Sequence, residues 1–93
     1  MAALDKIIPW VYHHQEHFDG TGYPDNLRGD DIPLSASIIG LAEAYSAMKV
    51  DLPTRKAKSD REALSIVKQE TDKQFDPQVV EAFEDVINTG FLQ

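Results

Sequence analysis

All three histidines of the chain, His13, His14 and His17, lie within one short segment. On a helix, residues four apart share a face, so His13 and His17 could hold one metal ion between them. The segment lacks the His-Glu-x-x-His order of metalloproteases, and neighbouring histidines on an exposed helix are common without any function. The spacing is therefore consistent both with a pair of metal ligands and with an exposed helix surface that has no function.

His14 lies on a different helical face, near Val11 and Phe18, and a buried histidine there needs a hydrogen-bond partner. It is either a core histidine bonded to a backbone carbonyl or a metal ligand that faces Glu43 across a helix pair. Glu43 is a carboxylate in an apolar stretch. A carboxylate in such surroundings must be paired, protonated or coordinated, unless the helix register leaves it on the rim.

Composition limits which chemistry is available. Cysteine is absent, so disulfides, thiolate metal sites and cysteine nucleophiles are excluded, and any metal must bind nitrogen and oxygen. Nine basic residues against sixteen acidic ones give a net charge of −7, which argues against a duplex nucleic-acid partner. That charge suits divalent cations, although solvated helix faces give the same total.

Membrane and export signals are also missing from the sequence. No apolar run approaches the roughly 20 residues of a membrane span, and the first residues lack the charged-then-apolar order of a signal peptide. We therefore expect a cytoplasmic protein without a membrane partner.

Periodicity and end signals predict an all-α domain with four main helices, at about residues 9–18, 35–50, 60–70 and 77–89. No strand pattern is present. The predicted end signals are a first-turn proline, three N-terminal caps and a C-terminal glycine. They are Pro9, Ser35, the Ser59-x-x-Glu62 capping box, Asp76-Pro77 and Gly90.

Residues 19–34 show neither a period of two nor one of 3.6, which predicts a long ordered loop. A loop of this length without its own secondary structure is uncommon in a compact domain unless it has a function. Gly20 and Gly22 allow close backbone approach, and Tyr23-Pro24 is typical of a turn.

The stretch from His14 to Pro24, HQEHFDGTGYP, resembles the His-His-Glu-x-x-Asp-Gly-x-Gly-Tyr-Pro signature of the HD-GYP family. That family comprises bacterial metal-dependent phosphodiesterases of cyclic di-GMP within the HD phosphohydrolase superfamily. The resemblance continues through 42–48 and 74–77. It implies that residues 1–93 form a single partial HD-GYP-like domain, namely its C-terminal half.

The family builds its site from more than one metal ion, usually iron or manganese, which polarises the phosphodiester and generates a nucleophile at neutral pH. The resemblance implies that His14 and Glu43 are metal ligands, with Glu43 standing where the family has an aspartate. Gln15 stands where the second histidine is expected, and an amide is a poor replacement for imidazole. His13 and His17 match no ligand of the family.

The same resemblance assigns roles to other residues. Glu16 and Asp19 are expected to orient the ligands and the loop. The loop itself is Gly20, Gly22, Tyr23 and Pro24. Arg55 and Lys56 are expected to contact the phosphates of a cyclic dinucleotide substrate.

Two functions follow as expectations. The first is the C-terminal half of a cyclic di-GMP phosphodiesterase in bacterial signalling, inactive alone because the family's His-Asp ligands lie upstream of residue 1. The second is a degenerate regulatory or protein-interaction module whose loop contacts a partner such as a GGDEF-type cyclase. The second function is favoured by the positions where this sequence departs from the family pattern, namely Gln15, Ser46, Leu52 and Thr54. Apolar helix faces also predict self-association or a bound partner.

Overall fold

The structure, a computed structural model, describes residues 2–90, with side chains from Leu4 onward. It contains four α-helices and a one-turn 3-10 helix, and residues 2–90 include no strand. The α-helices are α1 (Ala2–Tyr12), α2 (Leu34–Met48), α3 (Asp60–Gln69) and α4 (Pro77–Thr89), and the 3-10 helix is Gly29–Asp31. The predicted all-α class is confirmed. None of the described helices is long and apolar enough to cross a bilayer.

The predicted start signals of α3 and α4 act as expected. The Ser59 hydroxyl accepts a hydrogen bond from the Glu62 amide at 3.1 Å, and the Glu62 carboxylate accepts one from the Ser59 amide at 3.2 Å. The Asp76 carboxylate accepts a hydrogen bond from the Gln78 amide at 2.8 Å, which caps α4. These local contacts satisfy backbone donors that a helix start leaves free.

The predicted first helix at 9–18 is wrong. Helix α1 spans Ala2–Tyr12 and contains Pro9 in its interior rather than in its first turn. Beyond Tyr12 the chain forms turns, with the Glu16 amide bonded to the His13 carbonyl at 3.0 Å. The helix ends early because Glu16 binds the backbone of the following loop, which a helical continuation would not allow.

The predicted cap of α2 is also wrong. The helix begins at Leu34 with Pro33 at the N-cap position, and no side chain caps it. The Pro33 carbonyl accepts from the amides of Ala36 and Ser37 at 2.9 and 3.1 Å. The apolar residues of α2 are only partly covered, since Ala36 and Leu41 are its buried residues.

The core lies among α2, α3 and α4. Its buried residues are Leu41, Leu64, Val67, Phe75, Val79, Val80 and Phe83. Helix α1 packs against α2 but leaves apolar residues of another face exposed, namely Leu4, Ile7, Ile8, Val11 and Tyr12. An open apolar groove of about 700 Å³ runs between α2 and α4, where Ile38 is 49% exposed. The exposed apolar surface expected from the sequence is therefore present.

Candidate functional site

A cleft of about 180 Å³, here called the histidine cleft, lies between residues 14–17, α2 and residues 74–76. Its lining includes His14, Gln15, Glu16, His17 and Glu43. The fold thus brings the turn after α1 together with the middle of α2, which are far apart in sequence. Both predicted metal ligands, His14 and Glu43, lie in this cleft.

The His14 ring faces Glu43 directly. Its Nε2 lies 3.0 Å from the Glu43 Oε2, and its Nδ1 lies 2.5 Å from the Val11 carbonyl oxygen. A carbonyl oxygen can only accept a hydrogen bond, so Nδ1 carries a proton and acts as the hydrogen-bond donor. In the neutral ring, the lone pair of Nε2 then points at a carboxylate that also only accepts. This pairing needs a cation between the two atoms, either a proton on Nε2 or a metal ion.

The structure combines the alternatives that the sequence left open. His14 is bonded to a backbone carbonyl and also faces Glu43, and its side chain is 21% exposed. Glu43 lies on the rim, with a side chain that is 60% exposed. Burial therefore does not force Glu43 to be coordinated, and its pairing rests on the geometry with His14.

Gly40 sets the distance between the two sides of the cleft. A Cβ atom built on this residue of α2 would lie 2.6 Å from the His14 carbonyl oxygen. Such a distance is far below ordinary contact, so the turn approaches α2 this closely only because residue 40 has no side chain. Gly40 was not predicted as a site residue, although an isolated glycine inside an apolar helix is a signal of close packing.

Gln15, which stands where the resemblance predicts a second histidine, is held by the loop. The Tyr23 hydroxyl donates a hydrogen bond to the Gln15 side-chain oxygen at 2.9 Å. The Tyr23 amide also donates to the Gln15 carbonyl at 3.3 Å. The side-chain oxygen of Gln15 thus has a partner within the protein, and the Tyr23-Pro24 turn is attached to the rim of the cleft.

Glu16 is the buried charged residue of this region, with a residue exposure of 6%. Its carboxylate accepts hydrogen bonds from the amides of Asp25 and Leu27, both at 3.0 Å, and from the His13 ring at 3.1 Å. Burial by itself raises the pKa of Glu16, but the hydrogen bonds from Asp25, His13 and Leu27 together lower it below its usual value. Glu16 therefore holds the loop as an ionised anchor.

Asp19 organises the first turn of the loop. Its carboxylate accepts from the Thr21 hydroxyl at 2.6 Å and from the Thr21 amide at 3.0 Å. These hydrogen bonds lower the pKa of Asp19. The Asp19 amide donates to the Lys73 carbonyl at 2.9 Å, which ties the loop to the segment before α4.

Gly20 and Gly22 meet two different demands of the loop. Gly20 has a φ of 84°, a conformation that glycine adopts without strain. Gly22 is buried, and a Cβ there would lie 2.5 Å from the Gln15 carbonyl oxygen. The loop is therefore folded directly onto the turn that carries the cleft histidines.

The predicted His13–His17 face does not form. Both residues lie beyond the end of α1, so the helical spacing on which the pair depended is absent. The His13 Nδ1 faces Glu16 at 3.1 Å, whereas the His17 Nδ1 lies 3.3 Å from the Thr21 hydroxyl. The two rings thus have separate partners.

Arg55 and Lys56 are absent from the residues that line the cleft. One Arg55 nitrogen, Nη2, donates to the carbonyl of Ala47, a cleft residue, at 3.3 Å. The other, Nη1, is buried and has no hydrogen-bond partner among the described residues. Lys56 is exposed.

Several residues of the region were not predicted as site residues from the sequence. Ser37, Gln74 and Asp76 line the cleft, and Asp25 lies beside His13. Asp76 was predicted as the cap of α4, and residues 74–77 as part of the resemblance, but neither prediction gave them a role in the site. Their placement depends on how the loop and the start of α4 fold back, for which the sequence carries no local signal.

Comparison with known proteins shows which family the chain resembles. A family model described as "HD domain" matches residues 1–79. A "probable cyclic di-GMP phosphodiesterase" of Vibrio cholerae is 44% identical over 70 residues, which cover 75% of this chain and 16% of that protein. A "cyclic di-GMP phosphodiesterase" of Thermotoga maritima is 37% identical over 70 residues, covering 75% of this chain and 19% of that protein.

A solved structure has the same fold. The crystal structure of a cyclic GMP-AMP specific phosphodiesterase of V. cholerae superposes with a TM-score of 0.78 at 27% identity, over 88% of this chain and 18% of that chain. The chain therefore spans less than one fifth of the length of each of these three proteins.

Proposed function

Because the chain belongs to the HD domain family and carries the signature of its HD-GYP branch, we propose that it forms one side of a metal-dependent phosphodiesterase site. His14 and Glu43 are the metal ligands in this proposal. The observation that carries it is the approach of the His14 Nε2 to the Glu43 Oε2 at 3.0 Å, while the Nδ1–H group donates a hydrogen bond to the Val11 carbonyl.

The donor set fits iron or manganese, since both bind imidazole nitrogen and carboxylate oxygen. Neighbouring ligands that lie about 2.1 Å from one ion are roughly 3 Å apart, as these two atoms are. When bound, such an ion supplies a Lewis acid for the phosphodiester and lowers the pKa of water. The Val11 carbonyl holds the His14 ring in the tautomer that leaves Nε2 free.

We propose a cyclic dinucleotide as the substrate, because relatives are named phosphodiesterases of cyclic di-GMP or of 3'3'-cGAMP. We propose Arg55 as a phosphate contact because its Nη2 donates to the carbonyl of Ala47, which lines the cleft, and this holds the guanidinium beside the cleft. Gln15 stands in place of an imidazole, and because an amide is a poor replacement for imidazole as a ligand, we propose that it holds no further ion. Lys56 is the second, solvent-exposed phosphate contact.

Two ligands do not hold a site with several ions, so we propose that the remaining ligands come from outside these 93 residues. The isolated chain should accordingly show no hydrolysis of cyclic di-GMP above the buffer rate with Mn²⁺ or Fe²⁺. Hydrolysis that the His14→Ala variant abolishes would contradict this. We place the reaction in the bacterial cytoplasm, in line with the signalling role of cyclic dinucleotides.

Metal binding by the isolated chain tests the ligand assignment separately from activity. The measurement uses a chain that carries Asp25→Asn, so that the carboxylate beside His13 is removed. In this chain Mn²⁺ should broaden the amide resonances of residues 14 and 43 in ¹H–¹⁵N spectra. His14→Ala should remove this local broadening, whereas the matched variant His17→Ala should retain it. Equal broadening in both variants would show that His14 is not a ligand.

The second candidate is a regulatory module that contacts another protein, such as a GGDEF-type cyclase, without catalysis. It is favoured by Tyr23, which is 60% exposed on a loop whose backbone is hydrogen-bonded to the buried Glu16 carboxylate. Sedimentation of the chain with and without a GGDEF domain tests it, with Tyr23→Ala as the variant. Unchanged sedimentation of the wild-type chain would exclude that partner.

We also propose that the apolar faces of α1 and of the α2–α4 groove are covered by self-association or by a partner. Sedimentation velocity at several concentrations measures this. A single monomeric species at all concentrations would refute self-association.

A further inference from the structure

We propose that His13, Glu16 and Asp25 form a second divalent-metal site, distinct from the His14–Glu43 pair. The His13 Nδ1 lies 3.1 Å from the Glu16 Oε2 and 3.9 Å from the Asp25 Oδ2. All three ligand atoms lie within 4.8 Å of one another. One imidazole and two carboxylates thus converge on one point at the base of the loop.

The central ligand of this cluster is already fixed in position. The Glu16 side chain is completely buried, and the amides of Asp25 and Leu27 each hold one of its oxygens at 3.0 Å. The His13 ring is 16% exposed and makes an edge contact with the Tyr12 ring at 4.9 Å. Little side-chain freedom would be lost when an ion binds to these two residues.

Asp25 supplies both the third ligand and the route of entry. Its side chain is 52% exposed, so an ion can reach the cluster from solvent. Its carboxylate brings a second negative charge close to that of Glu16. Among the ion pairs of the described residues, the His13 ring is the partner of both carboxylates. A divalent cation would offset both charges.

The ligand types select the class of metal. Imidazole with carboxylates suits Zn²⁺, Mn²⁺ or Fe²⁺ better than Mg²⁺, which prefers oxygen ligands and retained water. The 3.1 Å between Nδ1 and Oε2 matches the spacing of neighbouring ligands on one such ion. Asp25, whose Oδ2 lies 3.9 Å from Nδ1, would have to move its exposed side chain closer. On binding, Nδ1 gives up its proton, Nε2 carries the one proton of the neutral ring, and the His13–Glu16 hydrogen bond is replaced by two metal–ligand bonds.

The test uses a chain from which the first site has been removed by His14→Ala together with Glu43→Gln. Calorimetric titration with ZnCl₂ should still show one equivalent bound. Adding Asp25→Asn should weaken Zn²⁺ binding at least tenfold, whereas the matched variant Asp30→Asn, on the exposed 3-10 helix, should leave it unchanged. Asp25→Asn should not unfold the loop, because it is the backbone amide of Asp25 that binds Glu16.

A spectroscopic measurement identifies the ligand atom. Zn²⁺ should shift the Nδ1 resonance of His13 in long-range ¹H–¹⁵N spectra and leave that of His17 in place. Loss of all Zn²⁺ binding in the His14→Ala, Glu43→Gln chain would overturn this inference, as would equal binding by the Asp25→Asn and Asp30→Asn variants. If instead only the His14-dependent broadening by Mn²⁺ is missing, the proposed phosphodiesterase site fails and this second site stands.

Discussion

Replacing Glu16 by glutamine should destabilise the protein far more than the change of one atom suggests. The carboxylate accepts from two backbone amides and from the His13 ring, and the side chain is completely buried. The amide of glutamine offers one acceptor oxygen and one NH₂ group. Either the Asp25 or the Leu27 amide would then face another donor and lose its partner.

The size of the effect follows from these contacts. A buried donor left without a partner costs about 1–3 kcal/mol. The hydrogen bonds that remain lose the assistance of the negative charge, which weakens them by roughly half, or about 1 kcal/mol in total. We therefore expect Glu16→Gln to lower the free energy of unfolding by about 2–4 kcal/mol.

Urea denaturation in the presence of EDTA measures this loss without a contribution from bound metal. The matched control is Glu81→Gln on the exposed surface of α4, which should change the free energy of unfolding by less than about 0.5 kcal/mol. Hydrogen exchange at the amides of Asp25 and Leu27 should accelerate in Glu16→Gln. If the two variants are equally stable and these amides stay protected, Glu16 is not the anchor of the loop.

Three further predictions concern the helices. Gly40→Ala should destabilise the protein by about 1–2 kcal/mol and weaken Mn²⁺ binding, because the new Cβ would meet the His14 carbonyl. This loss exceeds the roughly 1 kcal/mol that alanine gains over glycine in a helix, and a variant that is more stable in urea would contradict it. Ser59→Ala should cost about 0.5–2 kcal/mol in the same assay through loss of the α3 cap, and an unchanged midpoint would count against the cap. Hydrogen bonds, chiefly the one from Lys49, lower the pKa of Asp60 in the folded protein, so Asp60 stabilises the fold fully above its usual pKa of 3.8 and loses this effect as pH falls through the lower folded pKa. Asp60→Asn should therefore flatten the acid side of the stability–pH curve, and parallel curves would refute this.

Signals contained within a few residues were enough to predict α3 and α4. The Ser59–Glu62 capping box, the Asp76-Pro77 start and Gly90, with its φ of 71°, each act through contacts that span no more than four residues. The end of α1 could not be predicted in this way. It depends on Glu16 binding amides nine and eleven residues further along, a tertiary contact that overrides a helical pattern.

The candidate site also divides into parts that the sequence predicted and parts that depend on tertiary contacts. The approach of His14 to Glu43 was expected as one of two alternatives, and the resemblance favoured it. The His13–His17 pair assumed a helix that ends before either residue. The position of Asp25 beside His13 depends on a loop that folds onto the turn where Gly22 leaves room. The sequence indicates that Gly22 allows close backbone approach, but not which segment approaches it.

Glu16 explains why three neighbouring histidines have three different surroundings. A helix continuing past Tyr12 would place His13 and His17 on one face and His14 on another. Because the Glu16 carboxylate turns inward to hold the loop, the chain leaves the helix and His13 follows it toward Asp25. His14 is thereby released to bond the Val11 carbonyl and to face Glu43. The ligand geometry proposed for both metal sites thus depends on one buried carboxylate.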